Sequence, residues 1–341
     1  MAQEVAVPLE ATEVRTPRKP FWKKLLLTAR HHPLGAIGVS IVILLLACTL
    51  FAELIAPYDP QAIDAHALRN APSFSHPFGT DRLGRDVMSR TIYGARISMF
   101  IGLVSVIIGT LLGAFFGLIS GYFGKWIDSL IQRVIDMLLA FPALVLLLAI
   151  IAVLGNDESR FRQFLSDYTP LPEGEFLGIP VFIQIFVMAV GIGVAIAVGT
   201  ARVVRGAVLS LKENVYIDAA RAMGASDGRI VFKHILPNVM ALVVVLATIF
   251  LPIAILAEAA ISFLGLGVPN PTPSWGSDMT GPNQSDAVNG NIWWVVFFPG
   301  AALSLTVLAF NMIGDSLRDI SDPRLRGGRG QGGGPGTGTG F

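Results

Sequence analysis

Six long segments of this chain contain no Asp, Glu, Lys or Arg, and this feature limits the possible folds more than any other. The segments are residues 34–52, 97–124, 137–156, 176–201, 234–257 and 287–314. Each approaches or exceeds the length of about 20 apolar residues that a helix needs to cross a bilayer. Nothing in the chain alternates like the strands of a membrane barrel, which repeat in segments of about 10 residues. The sequence therefore predicts an all-α integral membrane protein with six transmembrane helices.

The composition agrees with this class of protein. Hydrophobic residues make up 53% of the chain and charged residues only 14%, with a mean hydropathy of +0.64. Soluble domains carry roughly 25% charged residues, so an ordinary soluble fold is excluded. The single cysteine, Cys48, excludes an intrachain disulfide and a cysteine-rich metal site.

Basic residues are distributed unevenly among the segments that connect the six predicted helices. With the N-terminus in the cytoplasm, most of the 25 Lys and Arg residues fall on the cytoplasmic side, as the positive-inside rule requires. The predicted organisation is a cytoplasmic N-terminal segment (1–33), a first transmembrane helix (34–56), an extracytoplasmic loop (57–93), a five-helix core (94–317) and a cytoplasmic tail (318–341). The Gly-rich end of the tail cannot bury a core and is predicted to be disordered.

A polar stretch at residues 211–237 separates the fourth and fifth apolar segments, and its first half is predicted to be a short amphipathic helix. Val215, Ala219 and Met223 recur there at helical spacing. Gly224 is expected to end this helix, because glycine readily adopts the left-handed conformation that follows many helix C-termini.

The second half of this polar stretch (residues 211–237), which is called the coupling loop below, is predicted to be another short helix. Ser226 is a suitable N-cap, Arg229 lies within the helix, and Pro237 stands where the next apolar segment begins. Small side chains on the loop let another protein approach its backbone closely, and four are expected to be exposed: Ala219, Ala220, Ala222 and Ala225. The loop is therefore predicted to be a docking surface.

The coupling loop also resembles the EAA loop of ABC-importer permeases, with Asp218 in place of the usual Glu. The matching positions are Asp218-Ala219-Ala220, Gly224 and Leu236-Pro237. Other stretches resemble the C-type permease subunit of the dipeptide, oligopeptide and nickel importers. They are residues 76–81 (HPFGTD), 84–86 (GRD), 258–267 (EAAISFLGLG), 273–276 (PSWG) and 303–326, which ends in DPRLR. Because these motifs occur in the right order, the resemblance is specific, and it extends over most of the chain.

The resemblance implies one permease subunit of an ATP-driven importer in a bacterial cytoplasmic membrane. Its partners are then a homologous B-type permease in a heterodimer, two ATPase subunits that bind ATP and Mg, and an extracytoplasmic binding protein that delivers peptide. Movement of the coupling loop by the ATPases is expected to switch which side of the pathway is open. The residues expected to couple to the ATPases are Val215, Asp218, Ala219, Ala220, Gly224, Ala225, Ser226, Arg229 and Pro237.

Four glycines fall every four residues in the second apolar segment: Gly109, Gly113, Gly117 and Gly121. Such a face lets two membrane helices pack backbone to backbone. Ordinary packing within the chain is the favoured interpretation, and an interface that slides as the pathway opens is the alternative.

Ionisable residues form two further groups of candidates. Glu258 lies at membrane depth, where a carboxylate is a functional candidate by default. A structural hydrogen bond to the helix end near Gly265 is favoured over a place in the pathway. Charged residues of the extracytoplasmic loop are predicted to lie on a salt-bridged surface helix or on a solvated face, and they are Asp81, Arg82, Arg85, Asp86 and Arg90.

Motifs for catalysis are missing from the sequence. The chain contains no G-x-x-x-x-G-K-[ST], so ATP binding is expected in separate subunits, and neither H-E-x-x-H nor G-x-S-x-G occurs. We expect no catalytic residue, metal site or cofactor in this chain. Two alternatives remain open: a permease for nickel or another small solute on the same scaffold, and an ATPase-independent transporter. A DNA-binding helix-turn-helix in the coupling loop is excluded by the flanking spans, so no nucleic-acid partner is expected.

Overall fold

The computed structural model describes residues 30, 32–154, 179–290 and 292–321. Within them the regular structure is helical, apart from an isolated bridge between Thr80 and Asp86. The helices are α1 (Pro33–Leu50), α2 (Ala52–Ile55), α3 (Val87–Phe123), α4 (Lys125–Leu139), α5 (Ala143–Leu154), α6 (Ile179–Lys212), α7 (Val215–Ala222), α8 (Asp227–Ile230), α9 (Leu236–Phe263), α10 (Trp275–Asp278), α11 (Pro282–Asn289) and α12 (Trp294–Ser321). A π-helical turn, Val231–Ile235, joins α8 to α9. The Gly-rich tail and most of the predicted N-terminal segment lie outside the described residues.

Five helices in the described part of the chain are long and apolar enough to cross a membrane. They are α1, α3, α6, the continuous unit of α8 and α9, and α12. The bent pair α4 and α5 passes the same test together, which gives up to six spans. The predicted all-α membrane class is thereby confirmed.

The third predicted span is not the single helix expected from the window 137–156. α4 and α5 meet at 96° across the break between Leu139 and Ala143. Pro142 accounts for the break, because it lacks an amide donor and disfavours a helical conformation at Phe141. The window therefore covers the end of α4, the break and α5.

Two spans continue beyond their apolar windows into charged sequence. α3 begins at Val87, because the Asp86 carboxylate accepts a hydrogen bond from the Ser89 amide at 2.7 Å and caps the helix. α6 continues past Arg202 to Lys212. Each uncharged window thus reaches one end of its helix but misses the charged turns at the other end.

The centre of the fold is the packed pair of α3 and α6. Buried side chains between these helices and α9 include Ile101, Met188, Ile192 and Ile255. Since the helices satisfy their own backbone hydrogen bonds, the contacts between side chains determine how they are arranged. A second buried cluster lies at the end of the bundle that carries the coupling loop.

α1 is a peripheral helix that packs on α12. A Cβ added at Gly38 would lie only 2.6 Å from the carbonyl oxygen of Ala309, so the two backbones are close there. Large apolar side chains elsewhere on α1 are exposed, among them Leu34, Ile43, Leu44 and Leu50. A helix that is apolar on all sides and little buried in its own chain is typical of a helix surrounded by lipid.

Residues 57–90, which include the first turn of α3, and residues 268–290 form what we call the cap. The cap covers the ends of α3, α9 and α12 at the opposite end from the coupling loop. The indole Nε1 of Trp294 donates a hydrogen bond to the carbonyl oxygen of Thr80 at 3.1 Å. Arg69 forms an ion pair with Asp286 at 3.0 Å across the surface of the cap. The cap is therefore held together by contacts between distant parts of the sequence.

The charged residues of the cap neither form a surface helix nor face solvent together, so both sequence predictions are wrong. Asp81, Arg85, Asp86 and Arg90 are buried, and only Arg82 of the predicted set is exposed. The Asp81 carboxylate accepts a hydrogen bond from Arg85 Nε at 2.7 Å. Buried charges of this kind are stable only when partners satisfy them, and the fold supplies those partners.

Candidate functional site

The first helix of the coupling loop, α7, ends at a glycine bend. Gly224 has a φ of +82°, and its amide donates to the Arg221 carbonyl at 3.0 Å. The Ala225 amide donates to the Ala220 carbonyl at 3.0 Å. These two bonds form a Schellman motif, which satisfies carbonyl groups that the end of a helix leaves free. The bend at Gly224 thus lies where the sequence predicts it.

The second helix of the loop is not a separate element. Ser226 occupies the N-cap position of α8, but its side chain makes no capping hydrogen bond. The π-helical turn then carries α8 directly into α9, with Pro237 in the first turn of α9. A displacement of α8 is therefore applied directly to a membrane span.

The coupling loop exposes three large apolar side chains. Val215 is 84% exposed, Met223 82% and Phe232 70%. The predicted coupling residues that are also exposed are Asp218, Ala219, Gly224, Ser226, Arg229 and Pro237, whereas Ala225 is half-buried. An exposed group of large apolar side chains on a structured loop is typical of a surface that another protein covers.

The inward face of the loop is buried against the transmembrane helices. Ile217 and Ala220 lie three residues apart on α7, and both are buried, as is Ile230 of α8. Ile217 and Ile230 belong to one apolar cluster with Leu118 of α3 and Val204 of α6. The expectation that Ala220 is exposed is wrong, because it shares the inward face of α7 with Ile217.

The four glycines of α3 line its contact with α6. A Cβ added at Gly109 would lie 2.6 Å from Ile196 Cβ, and one added at Gly117 would lie 2.6 Å from the Ala201 carbonyl oxygen. Gly121 is similarly close to Val208, at 2.8 Å from its Cβ. Gly113 contacts Thr200 in the same way. Because side chains larger than hydrogen do not fit, the backbones of α3 and α6 approach closely over this length.

Glu258 is completely buried between α3 and α9. Its carboxylate oxygens accept hydrogen bonds from the Ser98 hydroxyl at 2.9 Å and from the Ser262 hydroxyl at 2.8 Å. The backbone amide of Trp275 in turn donates to Ser98 Oγ at 3.3 Å. Glu258 therefore connects α3, α9 and α10 through serine side chains rather than through the helix end at Gly265.

Sequence reasoning missed the ion pair at the centre of the cap. Arg90 of α3 donates to the Asp278 carboxylate of α10 through Nε at 3.0 Å and also through Nη2. Arg90 Nη1 donates to the carbonyl oxygens of Pro60 and Pro271, at 3.1 and 3.2 Å. Burial raises the pKa of the Asp278 carboxyl, whereas the charge of Arg90 lowers it. No motif signals this pair, since its members are far apart in the sequence.

Comparison with protein families shows which family the chain belongs to. Residues 109–327 match the family described as the binding-protein-dependent transport system inner membrane component. This match covers more than half of the chain, including the coupling loop and Glu258. The chain belongs to this family. The N-terminal part of the permease, residues 20–72, matches the N-terminal TM domain of oligopeptide transport permease C.

Curated relatives are similar to the permease over nearly its whole length. The glutathione transport system permease protein GsiD of Pectobacterium atrosepticum is 38% identical over 314 residues, which cover 92% of this chain and 93% of the relative. The protein of the same name from Escherichia coli O6:K15:H31 is 39% identical over 324 residues, covering 94% and 96%. A solved structure titled "Inward facing conformations of the MetNI methionine ABC transporter" aligns at 22% identity and a TM-score of 0.48, over 69% of this chain and 98% of that one.

The chain is thus a multi-pass inner-membrane protein and a C-type permease of a peptide ABC importer. This finding confirms the predicted family and function, and it favours them over the nickel permease and the ATPase-independent transporter. Within the described residues, no group of three or more His, Cys, Asp or Glu side chains is placed to hold a metal ion.

Proposed function

We propose that the permease forms half of a pathway for short peptides and is driven by ATPase subunits that dock on the coupling loop. The exposure of three large apolar side chains on the coupling loop, Val215, Met223 and Phe232, is the observation that carries this proposal. It stands on a loop whose other face is buried in the transmembrane bundle. Force applied to the outer face is therefore transmitted to α3, α6 and α9.

The partners in this proposal follow from the family. They are a homologous B-type permease in a heterodimer, two ATPase subunits that bind ATP and Mg, and an extracytoplasmic binding protein. The docking residues are Val215, Asp218, Ala219, Gly224, Ala225, Ser226, Arg229 and Pro237, with Met223 and Phe232 added because both are exposed, while the buried Ala220 supports the loop from within. Both chain termini and the coupling loop lie in the cytoplasm, and the cap lies outside.

The proposed substrate class is a short peptide of the size of glutathione. The relatives that match nearly the full length of the permease are named as glutathione transport permeases. Transport of labelled glutathione and of labelled di- and oligopeptides in a deletion strain tests this choice. Uptake of nickel without peptide uptake would contradict it.

A pair of valine substitutions tests the docking surface. Val215→Glu places a charge on the outer face of α7, whereas Val288→Glu places it at a valine of the cap that is 78% exposed. We expect Val215→Glu to insert normally but to lose the ATPase subunits on purification. Val288→Glu is expected to keep them. Retention of the ATPases by Val215→Glu with full peptide uptake would show that this face is not the docking surface.

A further experiment tests the proposal that separate subunits hydrolyse ATP. The purified permease alone is expected to hydrolyse no ATP above background, because it has no phosphate-binding loop. The reconstituted complex is expected to hydrolyse ATP faster when peptide-loaded binding protein is added. Hydrolysis by the isolated permease that a substitution within it abolishes would overturn this assignment.

The orientation is tested by two single cysteines in a Cys48→Ala background. Ser226→Cys marks the coupling loop and Ser285→Cys marks the cap, and both positions are exposed. A membrane-impermeant thiol reagent is expected to label them from opposite sides. Labelling of both from the same side would refute the proposed topology.

A further inference from the structure

Tyr122, in the last turn of α3, makes a direct polar contact with the coupling loop. Its hydroxyl donates a hydrogen bond to Asp227 Oδ1 at 2.5 Å, and Asp227 is the first residue of α8. The Tyr122 side chain is buried in the apolar cluster that also contains Ile217 and Ile230 of the loop. The Tyr122 hydroxyl therefore reaches the loop from within the membrane bundle.

A second contact fixes the same tyrosine to α6. The ammonium group of Lys212, the last residue of α6, donates to the Tyr122 carbonyl oxygen at 2.7 Å. It also lies 5.7 Å from the centre of the Tyr122 ring, within the range of a cation–π interaction. Ile217 of α7 belongs to the same apolar cluster as Tyr122. Tyr122 thus stands where α3, α6, α7 and α8 meet.

Tyr122 also lies at one end of the contact between α3 and α6 that the four glycines line. Gly121, the preceding residue, packs against Val208 of α6. A movement of α8 that pulls on Asp227 therefore acts at one end of the close contact between α3 and α6. Because α8 continues into α9, the same movement also reaches a third span.

The apolar cluster holds the loop against the bundle, but it does not set the direction of a movement. Apolar burial is non-directional, so contacts such as those of Ile217 and Ile230 transmit force without fixing the orientation of the loop. A hydrogen bond to a carboxylate is stronger than a neutral one and has a preferred geometry. We infer that Tyr122 is the positioning residue that transmits displacement of the ATPase-docked coupling loop to the α3–α6 pair. This inference rests on the proposed function of the loop.

The test is the substitution Tyr122→Phe in the complete complex of both permeases, both ATPases and the binding protein. Phenylalanine keeps the ring in the apolar cluster and removes only the hydroxyl. We expect normal insertion and full retention of the ATPases, while peptide uptake per ATP hydrolysed falls by about tenfold, the size expected for loss of a hydrogen bond to a charged group. Unchanged uptake per ATP would overturn the inference.

Substitutions at Asp227 separate transmission from simple stabilisation. Asp227→Ala is expected to match Tyr122→Phe, and the double substitution is expected to be no worse than either single one, because both remove the same interaction. Asp227→Asn keeps an acceptor oxygen and is expected to retain most of the coupling. Additive losses in the double variant would contradict a shared role.

A tyrosine at the opposite end of the bundle is the matched control. The Tyr58 hydroxyl donates to the Ser75 carbonyl oxygen at 3.0 Å within the cap. Tyr58→Phe makes the same chemical change and is expected to leave uptake per ATP unchanged. If Tyr122→Phe releases the ATPases, Tyr122 is part of docking alone and the inference fails, while the proposed function stands. If Val215→Glu retains the ATPases, the proposed function fails whatever Tyr122→Phe does.

Discussion

The cap and the coupling loop, at opposite ends of the bundle, differ in which side chains they bury and which they expose. In the cap, charged side chains such as Arg90 and Asp278 are buried and paired with each other inside the chain. In the coupling loop, apolar side chains such as Val215 and Met223 are exposed, and Gly224 has open space around it. The cap pairs its buried charges within the chain, whereas the loop exposes apolar side chains that a partner could cover.

The difference between the two ends agrees with the role proposed for the coupling loop. A buried ion pair tolerates little rearrangement, because separating its members leaves a charge without a partner in an apolar environment. The pair of Arg90 and Asp278 therefore holds the start of α3 and α10 in one arrangement. The coupling loop is held on its inner side by Ile217 and Ile230 and is exposed on its outer side, which agrees with its proposed role as a transmitting element between subunits.

The largest expected effect comes from breaking the buried pair in the cap. Arg90→Met leaves the Asp278 carboxylate buried without its cation, which is expected to destabilise the protein by about 3–5 kcal/mol. Arg69→Met is the control, because Arg69 pairs with Asp286 at the exposed surface, where such pairs contribute about 0–1 kcal/mol. Thermal unfolding of the purified complex measures both. Equal unfolding midpoints for the two variants would show that the buried ion pair stabilises the cap no more than the surface ion pair does.

The second largest effect is expected between the cap and the coupling loop, where the glycines of α3 pack against α6. Gly113→Val places a branched side chain against Thr200 of α6, and overpacking of this kind costs about 1–3 kcal/mol. Gly206→Val is the matched control, because nothing lies within 4 Å of a Cβ added there. We expect Gly113→Val to reduce the amount of assembled complex and Gly206→Val to leave it unchanged. Full assembly of Gly113→Val would show that the helices separate without loss.

A smaller and more local effect is expected at the bend of the coupling loop. Gly224→Val forces a β-branched residue into a positive φ, which costs about 1–2 kcal/mol. We expect normal insertion and permease pairing, with weakened ATPase co-purification and loss of peptide uptake. Gly228→Val adds the same side chain in open space without a positive φ, and it is expected to retain uptake. Full uptake by Gly224→Val would show that the bend is not needed.

The smallest effect is expected at the N-cap of α8. Ser226→Ala removes a side chain that makes no capping hydrogen bond, so the change in unfolding free energy is expected to stay within about 0.5 kcal/mol. Asp86→Ala, at the N-cap of α3 in the cap, removes a capping bond that contributes about 0.5–2 kcal/mol, together with the contact of Asp86 Oδ1 with His76 Nδ1 at 2.9 Å, so it is expected to destabilise by at least that amount. Chemical unfolding of both variants compares the two ends directly. A larger loss for Ser226→Ala would reverse the comparison.

The sequence alone determined the helical membrane class, most of the spans and the bend at Gly224. These features depend on residues close together in the chain: long runs without charge, a glycine after a helix, and helical spacing. The break at Pro142 also has a local cause, although the apolar window 137–156 concealed it because proline is apolar too. The family motifs indicated the C-type permease because each motif is also a short stretch of neighbouring residues.

Only the tertiary structure decided which side chains face inward and which charges are paired. Arg90 and Asp278 are separated by 188 residues, and Tyr122 and Asp227 by 105. No local period connects such positions. The same limit explains why Ala220 was expected to be exposed: the inward face of α7 is selected by contact of Ile217 and its neighbours with α3 and α6. Pairing and burial depend on how the helices pack, and packing between distant segments is not a property of any single stretch of sequence.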